Sequence, residues 1–239
     1  MSEQFSRTSA ILGDEAMQRL QNARVAVFGV GGVGGYAVEA LVRSGVGTVD
    51  VFDKDDVSIT NLNRQIIALH STVGQDKVSV IAARMRDINP AVVINEHKMF
   101  YLPENADEID LTVYDFVVDA VDTVAAKIEL AVRCEALGVP LIAAMGAGNK
   151  LDPSRLQICD IYKTSVCPLA RAMRTTLRKK GVKHLTVAWS TEEPVRPLEA
   201  IDNGGVRKDI PGSAAFVPSA MGLLIASHVV RQLAFPNAE

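Results

Sequence analysis

Cysteine is scarce in this 239-residue chain: only Cys134, Cys159 and Cys167 occur, with no CxxC pair among them. An odd, unpaired set excludes a disulfide framework and a structural zinc knuckle. Net charge is also small, −3 from 25 basic and 28 acidic residues. No global field attracts nucleic acid, so any such surface has to be a local patch. The opening Met1-Ser2-Glu3-Gln4-Phe5-Ser6-Arg7 lacks the apolar core of a signal peptide. No uninterrupted apolar run reaches bilayer length. The nearest, Ala214 to Phe235, contains Pro218, His228, Arg231 and Gln232 and reads as a buried core helix. There is no internal repeat and no low-complexity linker. With 48% hydrophobic residues a substantial core is available. The expectation is a cytoplasmic α/β protein of one large domain or two small ones.

What is present begins with Arg24-Val25-Ala26-Val27-Phe28-Gly29-Val30-Gly31-Gly32-Val33-Gly34-Gly35, an apolar strand running into a glycine-rich turn that opens a helix. Glycine at 29 permits the tight turn, at 31 close approach to a phosphate, and at 34 close packing of helix on strand. The first helical N–H groups and the positive end of the dipole then face an anion. A second strand, Thr48–Phe52, ends in Asp53, where a ribose-binding carboxylate belongs. A glycine turn that only packs a helix on a sheet is the bland alternative, but strand, glycines, helix and acid all fall in order for a nucleotide site.

Strands are expected at Arg24–Gly29, Thr48–Phe52, Val92–Glu96, Phe116–Asp119, Pro140–Ala144, Arg155–Tyr162 and His184–Ser190. Helices are expected at Gly13–Leu20, Val33–Ser44, Gly74–Asp87, Val124–Leu137, Pro168–Lys180 and Ser219–Gln232. Alternating strand and helix predicts a Rossmann-like, doubly wound and mostly parallel sheet, extended by antiparallel strands where the later spacing turns uneven. Thr191–Pro211, with three prolines and two glycines, reads as a long loop, a lid or crossover near a site.

The residues after Asp53 depart from a dehydrogenase. The block Asp53-Lys54-Asp55-Asp56-Val57-Ser58-Ile59-Thr60-Asn61-Leu62-Asn63-Arg64-Gln65 precedes Lys77, and hydride transfer needs neither cation. Arg64 and Lys77 suit a triphosphate whose pyrophosphate leaves. Asp122, just beyond a strand's carboxyl end, suits a magnesium ion on phosphates, or a helix N-cap ahead of Val124. Cys134 and Cys159 read as core. Cys167, before Pro168 at a helix start, is the one reactive-thiol candidate, although a structural role is the simpler reading.

The pattern GxGGxG, then DxDxVxxxNLxRQ, then Lys77 and Asp122, resembles the adenylating superfamily of ubiquitin-activating enzymes and the bacterial ThiF, MoeB and HesA proteins. The likeness reaches nearly the whole chain and implies one adenylating domain over residues 1–239 that binds ATP and magnesium and attaches AMP to a carboxylate. It implies nucleotide contacts from Gly29, Gly31, Gly32, Gly34, Asp53 (ribose) and Asp55, with Asn61, Arg64 and Lys77 on the phosphates. Asp122 would serve the metal and the attacking carboxylate. Arg7 would reach across a homodimer to the partner's ATP.

The sulfur-carrier activators of that superfamily usually carry two CxxC pairs, which this chain lacks. Phe5-Ser6-Arg7-Thr8, Asp160-Ile161-Tyr162-Lys163-Thr164 and Pro168-Leu169-Ala170 look instead like the tRNA threonylcarbamoyladenosine dehydratases. That likeness implies a tRNA carrying threonylcarbamoyladenosine as partner, and it leaves room for a cysteine desulfurase or sulfur-relay partner. Arg171, Arg174 and Arg178 at helical spacing offer phosphate contacts, with Leu169, Met173 and Leu177 expected to pack inward. An ordinary solvated helix face is the plain alternative. Adenylation of a ubiquitin-like sulfur carrier, a nicotinamide or flavin enzyme and a non-catalytic scaffold are the competing functions.

Overall fold

The computed structural model describes residues 3–196, 198 and 211–236. Among these, in chain order, lie α1 (Ser6–Leu12), α2 (Asp14–Asn22), β1 (Arg24–Phe28), α3 (Gly34–Arg43), β2 (Thr48–Phe52), α4 (Lys77–Ile88) and β3 (Val93–His97). There follow β4 (Phe116–Asp119), α5 (Val124–Leu137), β5 (Leu141–Ala144), β6 (Leu156–Asp160), α6 (Pro168–Lys179), β7 (Thr186–Ser190) and α7 (Phe216–Ala234).

The strands form one sheet in the order β3-β2-β1-β4-β5-β7-β6. Every pairing is parallel except β6 with β7, as the uneven late spacing suggested. Strand residues alternate between the faces. Val25 and Val27 face α3 and α7, in a core with Val38, Leu41, Met221 and Ile225. Ala26 and Phe28 face the other way, toward Leu130 of α5 and Tyr101. This two-faced burial explains why β1 is apolar at nearly every position. The order reverses between β1 and β4, so their carboxyl ends splay and open a crevice there.

Several boundaries differ from the sequence reading. The expected helix at Gly13–Leu20 is α2, Asp14–Asn22, and a second helix that the pattern did not predict, α1, precedes it across Gly13 with φ +84°. The expected helix from Gly74 starts only at Lys77. Gly74 has φ +86°, and residues 74–76 instead run beside Asp56 and Val57 through backbone hydrogen bonds. Helix α7 is long and apolar enough to cross a membrane, with mean hydropathy 1.2. Its Val217, Met221, Ile225 and Val229 are nevertheless fully buried, as a core helix requires. Of the expected loop Thr191–Pro211, residues 197 and 199–210 lie outside the described residues. Its described ends meet at the backbone of Asn149, which accepts from the Val195 amide and donates to the Gly212 carbonyl, both at 2.7 Å.

Candidate active site

The crevice at the β1/β4 reversal holds a cleft of about 380 Å³. Its floor is the glycine turn. Gly29 adopts φ +86°, and a Cβ there would sit 2.7 Å from the Ala120 carbonyl oxygen. A Cβ on Gly34 would lie 1.8 Å from the Gly29 carbonyl oxygen, so that residue serves helix-on-strand packing and does not line the cleft. Gly31 faces open space apart from the Gln65 carboxamide at 3.7 Å, which leaves room for a ligand to reach the backbone. Among the described residues no side chain caps α3, so the N–H groups that open the helix have no internal anion, although the Val30 amide earlier in the turn is taken by Asp53.

Asp53 extends from the end of β2 and accepts from the amides of Val30 and Asp55, each at 2.9 Å. One carboxylate thereby pins the glycine turn to the next loop. Lys77, the first residue of α4 and 6% exposed, lies 3.3 Å from Asp55 and 3.8 Å from Asp53. Arg64 comes from a short 3-10 turn whose Asn61 carbonyl accepts the Arg64 amide. Its guanidinium donates to the carbonyl of Thr60 and the carboxamide of Asn63, while its methylenes lie over Gly32. Asp122 is exposed at the cleft, and among the described residues its carboxylate is held only by the Thr123 hydroxyl at 3.3 Å. Among the described residues the cleft wall thus carries three carboxylates (Asp53, Asp55, Asp122) and three cations (Lys54, Arg64, Lys77).

Two expected roles change. Asn61 is buried, and its side-chain oxygen accepts from the Ser58 amide; it shapes the turn that presents Arg64 rather than lining the cleft. Asp122 does not cap α5: the cap position is Thr123, with no side-chain cap bond. Arg7, exposed on α1, is absent from its own chain's cleft and makes no ion pair among the described residues.

On α6, Arg174 is committed to the hydroxyl and carbonyl of Thr164, and Arg178 stacks over Tyr162 at 5.1 Å. Arg171 is exposed, and both Arg171 and Arg174 line an open groove of about 590 Å³. The buried face is Ala170, Met173 and Leu177, with Leu169 only half-buried. Cys134 and Cys167 are buried, and Cys159 is partly exposed. Burial pushes the Cys134 thiol up to about 12, which keeps it protonated and inert.

Sequence reasoning missed part of the wall. Met99, Phe100 and Tyr101 form an apolar side, continuous with the stacked Phe28 and Phe52. Ala147, Gly148, Pro211, Ser213 and Pro218 close the opposite rim. Gln65, whose buried side-chain oxygen has no hydrogen-bond partner among the described residues, also faces the cleft. Its place in the DxDxVxxxNLxRQ motif is the signal that could have found it.

Residues 3–237 match the ThiF family. The chain is 48% identical to the tRNA threonylcarbamoyladenosine dehydratase of Bacillus subtilis, across 98% of this chain and 95% of that protein. It is 34% identical to the Escherichia coli enzyme of the same name, across 97% and 93%. The E. coli tRNA N6-threonylcarbamoyladenosine dehydratase solved with AMP superposes with a TM-score of 0.88 at 35% identity, covering 97% of this chain and 94% of that one. The same enzyme solved with ATP gives 0.86 at 34% identity, covering 97% and 93%. E. coli MccB, at 17% identity and a TM-score of 0.69, shares the fold. A glycine turn, an acid-paired lysine and an arginine converging at a sheet's switch point, together with a match over almost the full length, make this chain a member of the ThiF family.

Proposed function

We infer that this chain is an ATP-dependent tRNA threonylcarbamoyladenosine dehydratase that adenylates the threonine carboxylate of the modified nucleoside beside the anticodon. The observation that carries the reading is the 48% identity to a dehydratase across nearly the whole of both chains. The Rossmann-like fold and the ATP and AMP complexes of a relative agree with it.

The chemistry follows from the cleft. A carboxylate is a poor electrophile, and linking it to AMP as a mixed anhydride supplies a good leaving group. A carboxylate oxygen attacks the α-phosphorus of ATP, and the bond to pyrophosphate breaks. An atom of the urea then attacks the activated carbonyl and closes the ring. AMP departs, and the nucleoside has lost one water overall. The protein's task is to bring two anions together. Arg64, Lys77 and the uncapped amides that open α3 supply the positive field that permits it. In this reading Asp53 takes the ribose, and the apolar side at Met99 and Phe100, backed by the buried Phe28, Phe52 and Tyr101, takes the base.

Asp122 fits a magnesium ion, which binds proteins through one or two carboxylates together with substrate phosphates. Among the described residues no group of three or more His, Cys, Asp or Glu side chains forms an all-protein cage. Bound there, magnesium would neutralise developing phosphate charge. The tRNA itself is expected on α6, chiefly through Arg171 and Arg178, because Arg174 is held by Thr164. A homodimer completed in trans by Arg7 and a cytoplasmic location, where ATP and tRNA are at hand, belong to the same reading.

The deciding experiment incubates the protein with ATP, magnesium and tRNA bearing threonylcarbamoyladenosine, then weighs the nucleosides. A modified adenosine lighter by one water is the expected product. An unchanged nucleoside, with AMP instead transferred to the C-terminus of a ubiquitin-like carrier, would overturn the assignment.

A further inference from the structure

Asp119, the last residue of β4, and Lys127, in the first turns of α5, are both wholly buried and bonded at 2.8 Å. They bracket the Ala120–Thr123 segment, which carries Asp122 and backs the glycine turn through Ala120. The Asp119 carboxylate also accepts the Val121 amide at 3.2 Å, inside that segment. The segment has few other ties. Among the described residues the Ala120 amide bonds the Phe28 carbonyl, the Thr123 carbonyl accepts the Lys127 amide, α5 has no side-chain cap, and Asp122 has only its neighbour's hydroxyl.

Burial raises the Asp119 carboxyl above its ordinary value and Lys127 opposes that shift. Its second oxygen has no hydrogen-bond partner among the described residues. An ion pair so placed adds little to stability, since desolvation offsets most of the attraction. Its position supplies a better reason for it.

We propose that Asp119 and Lys127 are positioning residues, a buried strut that fixes the Ala120–Thr123 segment and so aims the Asp122 carboxylate at the metal and phosphates of bound ATP. The inference rests on the role given to Asp122 above. Strand end and helix are clamped across the segment, so Asp122 has little freedom although it is exposed. Partners that orient a metal-binding carboxylate in this way typically contribute about 10–100-fold to metal affinity or activity.

Lys127→Met alone strands a buried carboxylate and is expected to destabilise the fold. The test therefore uses the charge-free pair Asp119→Asn/Lys127→Met in the full chain. ATP affinity is measured by calorimetry with and without magnesium, beside the melting temperature. The variant should melt at or above the parent and bind ATP alone as the parent does. The gain in ATP affinity that magnesium gives should fall about tenfold or more. Adding Asp122→Asn to the pair variant should cost nothing further, because both changes act through one carboxylate.

An unchanged magnesium gain, a fully additive loss with Asp122→Asn, or a variant that does not fold would overturn the inference and return the pair to a structural role. If Asp122→Asn alone leaves the magnesium gain intact, the role assigned to Asp122 fails and takes the inference with it. If Asp122→Asn removes the gain and the pair variant does not, only the inference fails.

Discussion

Replacing Lys77 by methionine keeps the buried methylenes and removes one charge, which makes it the cleanest perturbation of the cleft. Lys77 is 6% exposed and holds Asp53 at 3.8 Å and Asp55 at 3.3 Å. At such separations each ion pair carries on the order of 4 kcal/mol of Coulomb attraction at an effective dielectric near 20. Asp55 is half exposed, so solvent screens its share, and the pairing with Asp53 dominates. Asp53 keeps its two backbone amide donors in the variant, so the fold should survive with a modest loss. The larger effect is on chemistry. Among the described residues the cleft's three carboxylates and three cations balance, and without Lys77 that balance turns negative just where a polyanion must bind. Removing one preorganised donor to transition-state charge typically costs on the order of a hundredfold or more in rate, roughly 3 kcal/mol. The assay is tRNA-dependent pyrophosphate release at saturating ATP and magnesium, with circular dichroism as the folding control. Turnover close to that of the parent would show that Lys77 only neutralises Asp53 and Asp55 and takes no part in activation.

Arg64→Ala should lower the same turnover on the order of a hundredfold with little change in melting temperature, and an unaffected rate would remove Arg64 from the phosphate clamp. Arg171→Glu with Arg178→Glu should weaken tRNA binding and flatten the log–log salt slope by about 0.7–0.9 for each phosphate no longer neutralised; an identical slope would make α6 an ordinary solvated face. Mixing Arg7→Ala chains with Lys77→Met chains, each nearly inactive alone, should restore one complete site per heterodimer, and no recovery despite heterodimer formation would confine Arg7 to its own subunit or to no role. Asp50, fully buried in β2, would be raised by burial, but hydrogen bonds from Arg24, Asn95 and His97 outweigh this and hold it below the ordinary carboxylate value of 3.8. Its stabilisation should therefore be complete above that value and fade as pH falls through the lower folded value. The difference in stability between parent and Asp50→Asn, followed by denaturant titration, should shrink on acidification, and a pH-independent difference would refute the linkage.

What is legible in the sequence is local. The glycine turn, the acids after β2 and the strand–helix alternation each lie within a few residues of what they touch, so spacing reports them. Lys77 is legible in the same way, but the helix it opens begins three residues later than the pattern predicts. The periodicity of 77–88 says nothing of the backbone pairing that occupies 74–76. The Met99–Tyr101 wall is invisible because nothing local marks it. Only the β2–β3 pairing, with His97 opposite Phe52, brings that segment over the cleft. The Gly148 rim and Pro218 arrive from β5 and α7, more than a hundred residues from the turn they face. Arg174 misleads for a related reason: helical spacing puts it on the basic edge, but a partner ten residues back on another element claims its guanidinium.

A dinucleotide oxidoreductase and an adenylating enzyme can share β1, the glycine turn and the acid after β2, so those features alone do not separate them. The separation lies in what the acid does next. In this chain Asp53 already receives two backbone amides and a nearby lysine, and that lysine sits at the head of the following helix with a second acid beside it. A nicotinamide ring would find no use for a buried, acid-balanced cation beyond the ribose. A triphosphate would: as it enters, its own charge can take the place of the carboxylates at Lys77, so the cation becomes available without being carried unpaired in the empty protein. An unpaired buried lysine would be costly to the apo fold, and a lysine paired only in the loaded state would be poorly preorganised. Asp55, half exposed and free to turn to water, is the partner best able to let go.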